Sequence, residues 1–77
     1  MENTKNHIKE LCNKFKEKEF GLVEFQSRIE TALFPEGLQE LKHSVLNDLE
    51  EIRFTKLKEN FYKYGLEIVE KILKQLN

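Results

Sequence analysis

The chain has 77 residues, of which 39% are hydrophobic and 35% charged, and its formal net charge is −1 at pH 7. A chain this short buries only about 60% of the surface that its unfolded form exposes, which leaves room for one small core and excludes a deep substrate pocket. Charged residues alternate with apolar ones instead of forming blocks, so the composition also excludes an extended disordered chain.

The first predicted helix covers about residues 4–18. Four apolar residues share one face of it at i, i+3, i+4 and i+7 spacing: Ile8, Leu11, Cys12 and Phe15. Cys12 is the only cysteine, and its place in this stripe favours a small buried hydrophobe over a reactive thiol. With no second cysteine for an internal disulfide, the chain fits a reducing compartment.

The second predicted helix covers about residues 22–33. Its inner face is formed by apolar residues at helical spacing, namely Leu22, Phe25, Ile29 and either Ala32 or Leu33. The sequence Phe34-Pro35-Glu36-Gly37 then interrupts the pattern. Proline disfavours helical geometry at the residue before it, and glycine tolerates backbone angles that other residues resist, so we expect a helix end at Phe34.

The third predicted helix covers about residues 38–52. Its inward residues are Leu38, Leu41, Val45, Leu49 and Ile52. A weaker break follows at 53–55, where no glycine or proline occurs, and Thr55 is predicted to cap the next helix. The sequence leaves open whether the third and fourth helices are separate or form one bent helix.

The fourth predicted helix, about residues 55–76, has two apolar stripes. The first comprises Leu57, Phe61, Tyr64, Ile68 and Ile72, and the second comprises Tyr62, Leu66, Val69 and Leu73. So wide an apolar arc is typical of a central helix, although the second stripe is also open to interpretation as a binding surface or dimer seam. Gly65 lies mid-helix, which favours close approach by another helix over a functional hinge.

These four segments predict an all-α fold: a small antiparallel bundle of three to four helices (about 4–18, 22–33, 38–52 and 55–76) in a single domain over residues 1–77. No apolar run approaches the roughly 20 residues that span a bilayer, and the N-terminal segment is charged. We therefore expect a cytoplasmic protein without a membrane partner.

Residue patterns that carry catalysis are missing from the sequence. His7 and His43 are far apart and lack zinc-ligand or di-iron spacing, and there is no phosphate-binding glycine loop or nucleophile elbow. We therefore expect neither an enzyme nor a cofactor or metal. A helix-turn-helix across 35–37 would need a basic second helix, whereas this one is acidic, so we expect no direct nucleic-acid binding.

Charge is distributed unevenly along the chain. Residues 1–18 carry +2, residues 19–51 carry −6 and residues 52–77 carry +3. On the third helix several acidic side chains fall near one ridge, directed away from the apolar face. The acidity has two interpretations: it complements the basic first and last helices within the bundle, or it forms a docking face for a basic partner.

Part of the sequence resembles a known family. The stretch Glu19-Phe20-Gly21-Leu22-Val23-Glu24-Phe25, with Ile29 four residues on, is similar to the start of small helical immunity proteins, and the similarity covers about a fifth of the chain. Those proteins neutralise bacterial nuclease toxins of the colicin and contact-dependent-inhibition type. The resemblance implies a small, cytosolic, non-enzymatic protein that covers the basic cleft of a nuclease.

The leading hypothesis is therefore an immunity protein whose acidic face of helices 2 and 3 docks on a cognate basic nuclease domain. Its candidate partner-binding residues are Glu36, Glu40, Asp48, Glu50 and Glu51, with Tyr62 as an aromatic anchor. Two alternatives stay open: a phage-type inhibitor or nucleic-acid mimic acting on a host nuclease, and a structural homodimerisation module. We expect a monomer or a weak homodimer.

Overall fold

Apolar residues at helical spacing form the four helices that the sequence predicts. The computed structural model describes the backbone of residues 2–76 and the side chains of residues 4–76. Within these residues there are four α-helices, one 3₁₀ turn and no strand. The elements are α1 (Glu2–Lys16), α2 (Leu22–Thr31), α3 (Gln39–Thr55), the 3₁₀ turn Lys58–Asn60 and α4 (Phe61–Leu76). The predicted all-α bundle is confirmed.

Two hydrogen bonds show that α2 and α3 run antiparallel. Lys42 Nζ, in the first turn of α3, donates to the Ala32 carbonyl just after α2, and Arg53, in the last turn of α3, bonds to Gln26 in α2. The Tyr62 hydroxyl, at the start of α4, donates a hydrogen bond to the carbonyl of Lys16 at the end of α1. Lys71, in the second half of α4, contacts Asp48 near the middle of α3. Short connections reverse the chain from α1 to α2 and from α2 to α3. No helix of residues 2–76 combines the length and apolarity needed to cross a membrane.

All four helices contribute to the core. Its fully buried larger side chains are Phe15, Phe25, Ile8, Ile29, Leu49, Ile72, Val45 and Val69. The Phe15 ring stacks on Phe25 with ring centroids 4.9 Å apart and on Tyr62 with centroids 5.5 Å apart. Because these rings come from α1, α2 and α4, the stack joins three helices, and each pair is worth about 0.5–1.5 kcal/mol beyond its buried area.

Cys12 lies in this core with no exposed surface, which confirms its interpretation as a buried hydrophobe. Burial raises the pKa of the thiol to about 12, although nearby Lys16 acts in the opposite direction. Since the thiolate is the reactive form, we expect iodoacetamide at pH 8 to alkylate Cys12 at least ~100-fold more slowly in the folded protein than in urea. Mass spectrometry of timed samples measures both rates, and equal rates would contradict this burial.

The boundary between α3 and α4 differs from the prediction. The prediction that Thr55 caps the fourth helix is wrong, because Thr55 is the last residue of α3 and its hydroxyl donates to the Glu51 carbonyl at 2.7 Å. The chain becomes extended at Lys56, and α4 begins only at Phe61. Leu57, predicted in the first stripe, therefore lies outside α4 and is 64% exposed. The two helices are separate.

The ends of α1 and α2, unlike that of α3, fall earlier than predicted. α1 ends at Lys16, and α2 ends at Thr31 with an extended residue, Ala32, directly after it. The sequence offered Ala32 or Leu33 for the inner face of the second helix. The buried residue is Ala32, whereas Leu33 is 79% exposed. The chain thus leaves the helix before Leu33 can turn towards the core.

Both stripes of α4 face the other helices. The buried residues of this helix include Ile68 and Ile72 of the first stripe and Val69 of the second, together with Gly65 and Leu76. The flanking members of the stripes are half-buried and packed against the core: Phe61, Tyr62, Tyr64, Leu66 and Leu73. α4 contacts α1, α2 and α3, as expected of a central helix. Burial of Val69 supports the core interpretation of the second stripe.

Candidate protein-docking site

The outer surface of α3 is acidic. Three of its residues, Glu40, Asn47 and Glu51, lie on one line at spacings of seven and four, and all three are exposed. Glu50 and His43 are exposed beside this line, while Val45 and Leu49 are buried on the opposite side. The helix thus presents a continuous polar face to solvent along most of its length.

Phe54 extends this face with an aromatic side chain and is not among the sequence candidates. It follows Asn47 by seven residues and Glu51 by three, so it lies on the same line, and it is 79% exposed. The seven-residue spacing was the signal available in the sequence, but the predicted helix end at Ile52 left Phe54 outside the helix. We call these six residues the α3 face: Glu40, His43, Asn47, Glu50, Glu51 and Phe54.

A contact with α2 holds the last turn of α3 in place. Arg53 Nη1 donates a hydrogen bond to Gln26 Oε1 at 2.8 Å, which joins the end of α3 to the first half of α2. The neighbouring Ile52 is buried in the core. With residues 52 and 53 directed inward and sideways, Phe54 projects outward from an ordered helical turn, which limits the entropy lost when a partner binds it.

Two predicted members do not share the α3 face. Glu36 is exposed, but it lies in the connection before α3. Gly37, the next residue, has a left-handed backbone with φ of +93°, so α3 does not extend towards the N-terminus as far as Glu36. Asp48 is half-buried on the flank towards α4. Lys71 Nζ lies 2.9 Å from Asp48 Oδ2 and 2.6 Å from Ser44 Oγ. The negative charge of Asp48 is therefore compensated within the bundle by Lys71.

The remaining acids of the α3 face have no such internal partner. Among the side chains of residues 4–76, the ion pairs involve the acids Glu10, Glu24 and Asp48. On α2, the Glu24 carboxylate lies 2.7 Å from Arg28 Nη2, whereas Glu30 is exposed and belongs to none of these ion pairs. The exposed acids of α3, Glu40, Glu50 and Glu51, belong to none of these ion pairs, and they lie together on the α3 face.

Tyr62 lies away from the α3 face. Its ring is half-buried against Phe15, its hydroxyl bonds to the Lys16 carbonyl, and Lys18 Nζ lies 4.7 Å from the centre of its ring. These contacts are with α1 and the turn that follows it. The structure therefore does not bring Tyr62 together with the acidic residues, and Phe54 is the aromatic residue beside them.

The chain gives no match in comparisons with family models, with curated proteins or with solved structures. No group of three or more His, Cys, Asp or Glu residues is placed to hold a metal ion in the part of the chain that the structure describes. The α3 face combines exposed carboxylates that belong to no ion pair with one exposed aromatic ring.

Proposed function

We propose that this chain is a non-enzymatic protein-binding module that acts in the cytoplasm as an immunity protein. In this proposal the α3 face docks on the basic cleft of a cognate nuclease toxin domain. The observation that carries the proposal is the exposure of Glu40, Glu50 and Glu51 without an internal ion pair, next to Phe54 at 79% exposure. The resemblance of residues 19–29 to immunity proteins supplies the class of partner.

The two kinds of side chain would contribute differently to binding. A nuclease cleft is basic because it receives phosphates, so clustered carboxylates accelerate encounter and exclude acidic partners. Exposed charges add little affinity by themselves, since a pair at a protein surface is worth about 0–1 kcal/mol. Aromatic side chains that fill a pocket supply the larger part of the affinity, and Phe54 is placed to do this.

The test is protection in co-expression with the proposed cognate nuclease domain. We expect Glu40→Lys with Glu51→Lys to abolish protection and to lower the association rate at low salt by about 10–100-fold, because steering is replaced by repulsion. The matched control, Glu67→Lys with Glu70→Lys, makes the same change of net charge on exposed residues of α4 and should protect as the parent does. Intact protection by the α3 variant would refute the assignment.

The alternative target, a host nuclease bound by a phage-type inhibitor, rests on the same α3 face and differs only in which nuclease is inhibited. Assaying both enzymes with the same two variants separates these targets. The homodimerisation alternative relies on the second stripe of α4, and that stripe is half-buried or buried against the core. Less of its apolar area is thus free for a dimer seam.

A further inference from the structure

A second surface feature, separate from the α3 face, lies at the end of the bundle where the α1–α2 turn meets the start of α4. It is a groove of about 1220 Å³, and its apolar lining includes Phe20, Leu22, Phe61 and Tyr62. Val23 stands beside it with half of its surface exposed. The volume exceeds the range of about 300–1,000 Å³ that is usual for small-molecule sites, and the groove is partly open to solvent.

The charges lining the groove include more cations than anions. The cations are Lys18, Arg28 and Lys58, and the anions are Glu19 and Glu24. Glu24 and Arg28 neutralise each other in an ion pair of 2.7 Å. No ion pair of the described side chains includes Lys18, Lys58 or Glu19, so two ammonium groups and one carboxylate remain at the groove, a net charge of +1.

Lys18 occupies a backbone position at which glycine is the usual residue. The Glu19 N–H donates to the Lys14 carbonyl at 2.9 Å and the Lys18 N–H to the Phe15 carbonyl at 3.0 Å, which together form the Schellman ending of α1. In this motif the residue after the cap is left-handed, and Lys18 has φ of +64°. A lysine there is strained relative to glycine, and strain of this kind concentrates where a side chain has a function.

The Lys18 side chain is also held at the groove. Its Nζ lies 4.7 Å from the centre of the Tyr62 ring, and the Tyr62 hydroxyl is itself bound to the carbonyl of Lys16. The ring is thus anchored at both its face and its tip, and the ammonium group is kept at the edge of the apolar surface. This arrangement places a cation beside a hydrophobic groove, as recognition of an acidic amphipathic segment requires.

We propose that this groove binds an amphipathic helix of a partner protein that carries carboxylates along the edge of its apolar face. The apolar side chains of the helix pack on Phe20, Val23 and Phe61, as in other helix-in-groove complexes, and its carboxylates pair with Lys18 and Lys58. The partner's charge is opposite to that expected for the α3 face. The two surfaces therefore bind different molecules, and this inference does not depend on the proposed immunity function.

The test uses two synthetic 16-residue helices as probes, one of leucine and glutamate and one of leucine and lysine, with leucines on one face of each. In ¹⁵N-resolved titrations of the full chain we expect the leucine–glutamate helix to shift amide signals of residues 18–23 and 58–62. The leucine–lysine helix should leave them unchanged. Absence of shifts, or equal shifts with both probes, would overturn the proposal. If these signals shift with protein concentration in the absence of a probe, the occupant is a second copy of the chain, and the proposal is also overturned.

A single substitution separates binding from folding. Lys18→Gly relieves the left-handed strain, so we expect Tm to rise by about 3 °C while affinity for the leucine–glutamate helix falls about fivefold through loss of one ion pair. Lys58→Ala should weaken binding to a similar extent. Lys74→Ala, an exposed lysine in the last turn of α4, is the matched control and should leave affinity unchanged. Unaltered affinity of the Lys18→Gly protein would contradict the role of Lys18.

Discussion

Replacement of Gly65 by alanine should destabilise the fold by about 2 kcal/mol, although alanine is the better helix former. The gain in helix propensity is about 1 kcal/mol. Against it, a Cβ at Gly65 would lie 2.6 Å from Phe15 Cε2, closer still to Phe15 Cζ, and 2.9 Å from Leu22 Cδ1. The Phe15 ring cannot retreat easily because it is stacked between Phe25 and Tyr62. Overpacking of about 3 kcal/mol therefore outweighs the gain in propensity.

Urea unfolding followed by circular dichroism measures this difference. Gly21→Ala is the control, because no atom lies within 4 Å of a Cβ there, and its effect should stay below about 1 kcal/mol. Combining Gly65→Ala with Phe15→Leu should lower the free energy of unfolding by less than the sum of the two single changes, because the leucine side chain is shorter and does not reach the new Cβ. A Gly65→Ala protein more stable than the parent would show that the close approach does not constrain this position.

Replacement of Phe54 by alanine is expected to weaken binding of the proposed nuclease partner by about 30–100-fold while changing stability by less than about 0.5 kcal/mol. The ring is 79% exposed, so it contributes little to the core, and alanine is well accepted in the last turns of a helix. In a complex the same ring would be removed from water beside the acids of the α3 face. A loss of 2 kcal/mol or more is typical of such an aromatic anchor.

Calorimetric titration with the purified nuclease domain measures the loss of affinity. Leu33→Ala is a matched control, because Leu33 is exposed to the same 79% but lies in the connection after α2, away from the α3 face. If Phe54→Ala and Leu33→Ala bind equally well, Phe54 is not the anchor. That result leaves the acidic residues to be judged by the charge-reversal experiment alone.

The close approach at Gly65 shows how far a local pattern can reach. A glycine in the middle of an apolar arc predicts that something packs tightly against it, and this prediction is confirmed. The sequence suggests another helix as the neighbour, and the atoms nearest to the site belong to side chains of two other helices, Phe15 of α1 and Leu22 of α2. The need for space is a local property of the backbone, but the identity of the neighbour depends on how distant segments meet.

The end of α3 shows where local patterns are insufficient. Glycine and proline mark the break after Phe34, and the structure has no helix between Thr31 and Gln39. No such residue marks the region after Ile52, so helix propensity alone does not distinguish an end at 52 from one at 55. In the structure α3 continues to Thr55, with Arg53 bonded to Gln26 of α2, so Phe54 belongs to the α3 face.

Apolar spacing and charge are properties of neighbouring residues, so they predict the all-α class, the approximate positions of the four helices and the acidity of the third. Which of the candidate side chains are free depends on contacts between distant segments. Asp48 is paired with a residue 23 positions away, and Tyr62 bonds to a carbonyl 46 positions away. Pairings over such separations are set by how the helices pack, and no local pattern encodes them.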